Sequence, residues 1–243
     1  MPINALDQPV GDALPGWRPV TPPPRKSVEG RFCRLEPLDL ARHGKGLFAA
    51  FKQDADQRNW TYLPYGPFET EAAFLDWMAA ACQGDDPLFH TIVDLATGQP
   101  VGMASYLRIA PDIGVIETGH LHFSPLLQRR PAATEAMFLM MRRVFSELGY
   151  RRYEWKCDAL NERSRRAAER LGFRFEGVFR QATIYKNRNR DTAWFSILDR
   201  EWPALEAAYR AWLDPSNFDA CGDQKISLGS LIATKRDETS VKP

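Results

Sequence analysis

From Asn161 to Arg180 the chain spells out a helix with both ends marked, followed at once by a strand. Asn161 stands where an N-cap is wanted, because its side-chain oxygen accepts an amide that the first turn leaves unpaired. Gly172 stands where many helices close through a left-handed residue. Phe173-Arg-Phe-Glu176 then carries the chain straight into a strand. Ser164 falls one turn inside the helix, near its positive end, where a hydroxyl can face an anionic or thiol-bearing ligand.

The rest of the central region alternates strands and helices in the same way. Residues 31–36 read as a strand, 38–52 as a helix with Asp39 near its start, and 69–82 as a second helix carrying Phe74, Leu75 and Met78. Residues 89–95 and 101–107 flank Gly98 and Pro100 as a hairpin, and 114–123 form a further strand. A helix over 131–149 places Met137, Met140, Met141, Val144 and Leu148 on one face and stops at Gly149. A strand at 152–157, the capped helix at 161–171, two last strands and a helix near 203–213 complete the order. Strands that follow helices imply some parallel pairing, so the expected class is a mixed α/β domain.

Residues 1–29 form a Pro-rich extension, 30–213 a single domain and 214–243 a polar tail. The first of these holds Pro22-Pro23-Pro24, and each ring fixes φ and removes a backbone donor, so the segment is extended. It is either disordered or laid along the domain as a strap. In the tail, Ile226, Leu228, Leu231 and Ile232 are the side chains able to dock. A net charge of +1 supplies no global attraction to nucleic acid or to an anionic membrane. No apolar run approaches the ~20 residues that span a bilayer. The four cysteines, Cys33, Cys82, Cys157 and Cys221, are far apart and contain no C-x-x-C pair, so the expectation is reduced thiols in a cytoplasmic protein without a metal.

Asn161-Glu-Arg-Ser164, Leu171-Gly-Phe173 and Glu176-Gly177 together resemble the "N-x-x-S … L-G-F … E-G" region of the GNAT superfamily of N-acetyltransferases, in its RimJ/RimL-like branch. Arg190-Asp-Thr-Ala-Trp194-Phe-Ser196 through Trp202 resembles the closing strand of the same branch, and the two blocks stand in the expected order. The resemblance covers roughly residues 31 to 202. It implies a central, mostly antiparallel sheet flanked by helices, with a splayed parallel strand pair forming an acyl-CoA cleft. It implies acetyl-CoA as co-substrate, a primary amine as acceptor, and direct transfer in a ternary complex by a monomer or homodimer. The acceptor is either a protein N-terminus or a small molecule such as an amino acid, polyamine, aminoacyl-nucleotide or antibiotic. A third alternative is a degenerate module that binds acyl-CoA without catalysis.

Four segments carry the expected chemistry. Gln128-Arg129-Arg130-Pro131-Ala132-Ala133-Thr134 begins a helix whose free amides and dipole suit phosphate oxygens. By resemblance it matches the Q/R-x-x-G-x-G/A signature that wraps the CoA pyrophosphate, with Pro131 in place of the first glycine. Glu117, in the matching E-x-G position, is expected as general base or as an ion-paired strand residue. His120 is an alternative base because its unperturbed pKa suits neutral pH. Leu121, His122 and Phe123 complete the strand wall toward the cofactor, with His122 either at the channel or simply packed. Ser164 is the expected proton donor to the leaving thiolate, or a hydroxyl bonded to its own cap, and Asn161 is a pantetheine contact, a cap, or both. Trp60, Tyr62 and Tyr65, interleaved with Pro and Gly, line the acceptor pocket or anchor their loop in the core.

Overall fold

The structure is a computed structural model that describes residues 2–240, with side chains described to residue 237. Eight strands form one sheet: β1 (Val28–Glu29), β2 (Cys33–Pro37), β3 (Leu88–Asp94), β4 (Pro100–Ala110), β5 (Val115–Phe123), β6 (Arg152–Asp158), β7 (Arg174–Tyr185) and β8 (Arg188–Leu198). Their order is β1-β2-β3-β4-β5-β6-β8-β7, so the last strand in sequence inserts between its two predecessors. Every neighbouring pair is antiparallel except β5 and β6.

Helices α1 (Leu40–Phe51) and α2 (Glu71–Ala81) pack with Phe89 and Met103 into one apolar cluster. Helices α3 (Pro131–Arg142), α4 (Glu162–Arg170) and α5 (Trp202–Leu213) contribute to a second, larger cluster with Tyr106, Tyr153, Phe173 and Phe195 of the sheet region. Met137, Met140, Met141 and Val144 are buried in it, as the helical period of this segment requires. Helix α3 continues through one π-helical turn over Arg143–Glu147 before the left-handed Gly149 at φ +75.

Both flanking segments dock in part, the first from Trp17 onward and the second through Asn217 and the helix that follows. Trp17 Nε1 donates to the Asp112 carbonyl at 2.8 Å, and Arg143 donates to the Lys26 carbonyl at 2.6 Å. The Pro-rich extension is thus a strap across the β4–β5 turn and the end of α3. After residue 213 the chain folds back as α6 (Leu228–Ser240), with Leu228 and Ile232 buried in the larger cluster. Asn217 ties the connection together, donating to the Trp212 carbonyl at 3.0 Å and accepting from Ile226 N at 2.9 Å.

One buried carboxylate ties α3 to the entry of β2. Glu135 accepts from the amides of Arg31 and Phe32 at 2.6 Å and of Cys33 at 2.9 Å. A Cβ at Gly30 would collide with this carboxylate, so the turn into β2 requires glycine there. Glu135→Ala removes the acceptor of three amides, that of Cys33 buried and the other two partly buried. We expect a loss of roughly 3 kcal/mol, seen as a melting temperature lower by about 10 °C in a chain of this size; an unchanged melting temperature would contradict this role.

Candidate active site

Strands β5 and β6 pair in register only from Val115↔Arg152 to Thr118↔Trp155. Beyond that point β5 stays with β4 through a bulge, where the register shifts between Met103 and Ser105 and His120 adopts φ +51. Strand β6 stays with β8 as far as Asp158↔Thr192. The parallel pair therefore opens into a V past Thr118 and Trp155. A cleft of about 210 Å3 occupies the opening, lined among others by Glu117, His120, Lys156, Asn161, Ser164 and Arg190.

The sheet floor of this cleft is a chain of charges. Arg108 Nη1 reaches both Glu117 oxygens at 2.7 Å, and Lys156 Nζ reaches Oε2 of the same carboxylate at 2.8 Å. Lys156 also contacts Glu154 at 2.8 Å and lies 3.8 Å from the centre of the Trp194 ring. Arg152 continues the chain from Glu154 at 2.6 Å to Glu176 at 2.5 Å. The Glu117 side chain is only 4% exposed, so both of its cations act in a partly desolvated setting where pairing is strong. Of the two expected roles for Glu117, the ion pair is present, and it stands within the cleft.

On the other wall, helix α4 starts as its cap requires: Asn161 accepts from Ser164 N at 3.1 Å. Trp155 Nε1 donates to Ser164 Oγ at 3.0 Å, so the indole holds the oxygen while the hydroxyl proton is turned toward the Cys157 thiol. Gly172 closes the helix at φ +96, and a Cβ there would meet Leu205 Cδ2 at 2.6 Å. The α4 start, Ser164 included, is thus held by a cap and an indole, and the Gly172 contact fixes the other end of the helix.

The structure rearranges several residues expected at the site. His120 is close to the cleft, with Nδ1 3.1 Å from the Tyr65 hydroxyl. Burial, assisted by the Arg108 charge, pushes its pKa down to about 4, so it is neutral at pH 7 and a weak base. Its unperturbed value is therefore no guide to its chemistry. His122 is packed between Phe51 and Trp60, at ring distances of 4.0 and 3.9 Å, and does not line the cleft. Trp60 is buried in the α1–α2 cluster and faces a separate cavity of about 190 Å3 with Phe48 and Phe68. Of the three loop aromatics only Tyr62 lines the cleft, its hydroxyl donating to the Leu160 carbonyl at 3.1 Å. Tyr65 touches His120, which lines the cleft, and does not line it itself. Lys186, in the tight β7–β8 turn with Asn187 at φ +58, donates to the Trp60 carbonyl at 2.7 Å and so ties the loop to the hairpin.

At the start of α3, Arg129 and Arg130 are exposed, and Pro131 occupies the first turn as it does in many helices. The amides of Gln128, Arg130 and Ala133 are spent on the carbonyls of Ser124, Leu127 and Arg130. The Gln128 side chain donates to the Phe123 carbonyl at 2.7 Å. Thr134 is buried and its hydroxyl accepts from Arg170 at 2.9 Å, so it joins α3 to α4 instead of facing a phosphate. Leu121 lines the cleft, whereas Phe123 packs against the larger core cluster.

Arg108, Lys156, Asp158 and Arg190 belong to the cleft and were not expected there. One signal was readable: Arg152, Glu154, Lys156 and Asp158 alternate with Tyr153, Trp155 and Cys157, so β6 has one charged face and one apolar face.

The architecture is an open, mostly antiparallel sheet with one splayed parallel pair and a capped helix on one wall of the opening. Comparison with known proteins agrees: the model of the GNAT acetyltransferase domain matches residues 33–174. The crystal structure of a GCN5-related N-acetyltransferase from Brucella melitensis is similar at a TM-score of 0.89 and 53% identity, covering 90% of this chain and 100% of that one. A GNAT-family protein from Chromobacterium violaceum ATCC 12472 is similar at a TM-score of 0.75 and 45% identity, over 81% of this chain and 98% of the other. The uncharacterized N-acetyltransferase YnaD of Bacillus subtilis (strain 168) is 25% identical over 156 residues, 63% of this chain and 88% of that protein. The chain belongs to the GNAT family and is an N-acetyltransferase. Among the described residues no group of three or more His, Cys, Asp or Glu is placed to hold a metal ion, and no helix is long and apolar enough to cross a membrane.

Proposed function

We propose that this chain is an acetyl-CoA-dependent enzyme that transfers the acetyl group directly to a primary amine in a ternary complex. The observation that carries the reading is the opening of β5 from β6 past Thr118 and Trp155, with Glu117 on one wall and Ser164 on the other. Acetyl-CoA supplies an activated acyl group as a thioester. Strand β5 beyond Thr118 has no strand on its β6 side, so its polar backbone groups there are available to an extended ligand arm. At the α3 start the amides of Arg129 and Ala132 and the two arginine side chains suit a pyrophosphate, while Pro131 contributes no donor.

Glu117 takes the proton that the ammonium must lose before its nitrogen can attack, directly or through one water. Arg108 and Lys156 fix the carboxylate in place. Tyr65 occupies Nδ1 of His120, so His120 is assigned to shaping the pocket and Glu117 to proton removal. Ser164 gives its proton to the departing sulfur, and the Trp155 indole holds the hydroxyl oxygen while it does so. Alignment of amine and thioester in the V supplies much of the remaining acceleration.

Ser164→Ala is expected to lower kcat about tenfold and to leave the acetyl-CoA Kd within twofold, below the usual 10²–10⁴ range because water replaces the hydroxyl. Stopped-flow detection of the free thiol, with calorimetric titration of acetyl-CoA, checks both parts. A wild-type protein that takes up no acetyl-CoA at millimolar concentration would overturn the proposal.

A further inference from the structure

We infer that the acceptor is a compact amine with an anionic group beside its amino group, and that Arg108 reads that anion. This rests on the acetyltransferase reading and names its substrate class. The side chain of Arg108 is 62% exposed while that of its partner Glu117 is 4% exposed, so the guanidinium sits at the mouth over a buried carboxylate. Its backbone is built for this place. Arg108 adopts φ +48 within a register shift of β4 between Leu107 and Ala110. Asp86 fixes the distortion, accepting from Arg108 N at 2.9 Å and from Ile109 N at 3.0 Å. A non-glycine residue in this region is strained, and such strain persists where surrounding structure enforces it.

The charges decide what can enter. Arg108 and Lys156 already share Glu117, Lys156 is paired with Glu154 as well, and Arg190 brings a third cation to the cleft with its Nε buried and unpartnered among the described residues. The other lining carboxylate, Asp158, is engaged by the Tyr185 hydroxyl at 2.8 Å and the Leu160 amide at 2.8 Å. An acceptor bearing only positive charge would displace Arg108 from Glu117, its carboxylate partner among the described residues, and leave that guanidinium unpaired at the cleft mouth. A zwitterion exchanges charge for charge: its ammonium takes Glu117, and its anion takes the released guanidinium. A planar, fork-shaped donor suits a carboxylate or a phosphate. The cleft volume of about 210 Å3 suits a compact molecule such as an α-amino acid.

The test uses the full-length protein with acetyl-CoA and matched amines: free L-amino acids against their carboxamides, and phosphoethanolamine against ethanolamine. CoA release is expected to show kcat/KM at least tenfold higher for the anionic member of a pair, and the better of the two anions identifies the group recognised. Arg108→Gln should bring the pair close to parity, mainly by raising KM for the anionic substrate, and Arg108→Lys should restore part of the preference. Amides, polyamines or peptide N-termini turned over as well as or better than the anionic amines by the wild type would overturn the inference. So would an Arg108→Gln variant that lowers both members equally. CoA release with no amine at all would overturn the acetyltransferase reading and this inference with it.

Discussion

Glu117→Gln is expected to lower kcat by about 10²- to 10³-fold while leaving the acetyl-CoA Kd within twofold. Glutamine keeps the shape of the side chain and removes the oxygen that accepts the proton. The change also takes one anion from a floor where Arg108 and Lys156 both depend on it. Lys156 retains Glu154 at 2.8 Å, and Arg108 reaches solvent, so neither cation is stranded and the fold survives the change. The expected signature is a collapse of kcat with little change in the urea midpoint. A variant that keeps kcat within threefold would move proton removal to His120 or to water and would reduce Glu117 to an ion-pair partner.

Acidification from pH 7 to pH 5 is expected to remove about 6 kcal/mol of stability, most of the margin of an ordinary domain. Burial pushes the pKa of His90 down to about 4, aided by Arg143 and Arg25 and opposed by a backbone bond at Leu88. Burial also pushes His120 to about 4 and His122 to about 3. Each is neutral when folded at pH 5, whereas the unfolded chain protonates each near pH 6.5. Stability from the neutral forms is therefore fully present above about pH 6.5 and is lost as the pH falls toward about 4. Each histidine contributes roughly 2 kcal/mol of this loss at pH 5. Glu36 does not add to it. Burial alone would raise its pKa, but Arg34, His43 and Arg42 together hold it below the ordinary value, so its share is lost only at lower pH. Urea unfolding at the two pH values measures the difference, and a loss under 2 kcal/mol would contradict three buried neutral imidazoles.

Local signals in the chain were faithful wherever one element decides its own form. Asn161 and Gly172 bracket α4 because a cap and a left-handed stop are local devices. Pro131 opens α3, and the methionines of that helix face the core. Helix α6 was not legible, because Leu228-Gly-Ser-Leu-Ile-Ala-Thr has no clear stripe and is held by docking on α5. The insertion of β8 between β6 and β7 is a long-range choice that no local period records.

The site divides in the same way. Ser164 and Asn161 could be placed because a helix start fixes them. Trp60 and Tyr62 stand two positions apart in one loop, yet one enters the core and the other faces the cleft; only the packing of α1 and α2 separates them. The Thr134 hydroxyl is diverted by Arg170, a residue on another helix. Arg108 meets Glu117 across two antiparallel strands where a bulge in β4 shifts the register. Ion pairs of this kind depend on register and bulges, and register is what a single sequence specifies least directly.

The central claim is that the β5–β6 opening performs acyl transfer directly between two bound substrates. Quantitation of thiol release against amide formation, with and without an acceptor amine, tests it most directly. The account predicts no thiol release beyond the uncatalysed background without amine, and one amide formed for every thiol released when an accepted amine is present. A burst of thiol before amine is added, or no amide with any amine, would contradict it.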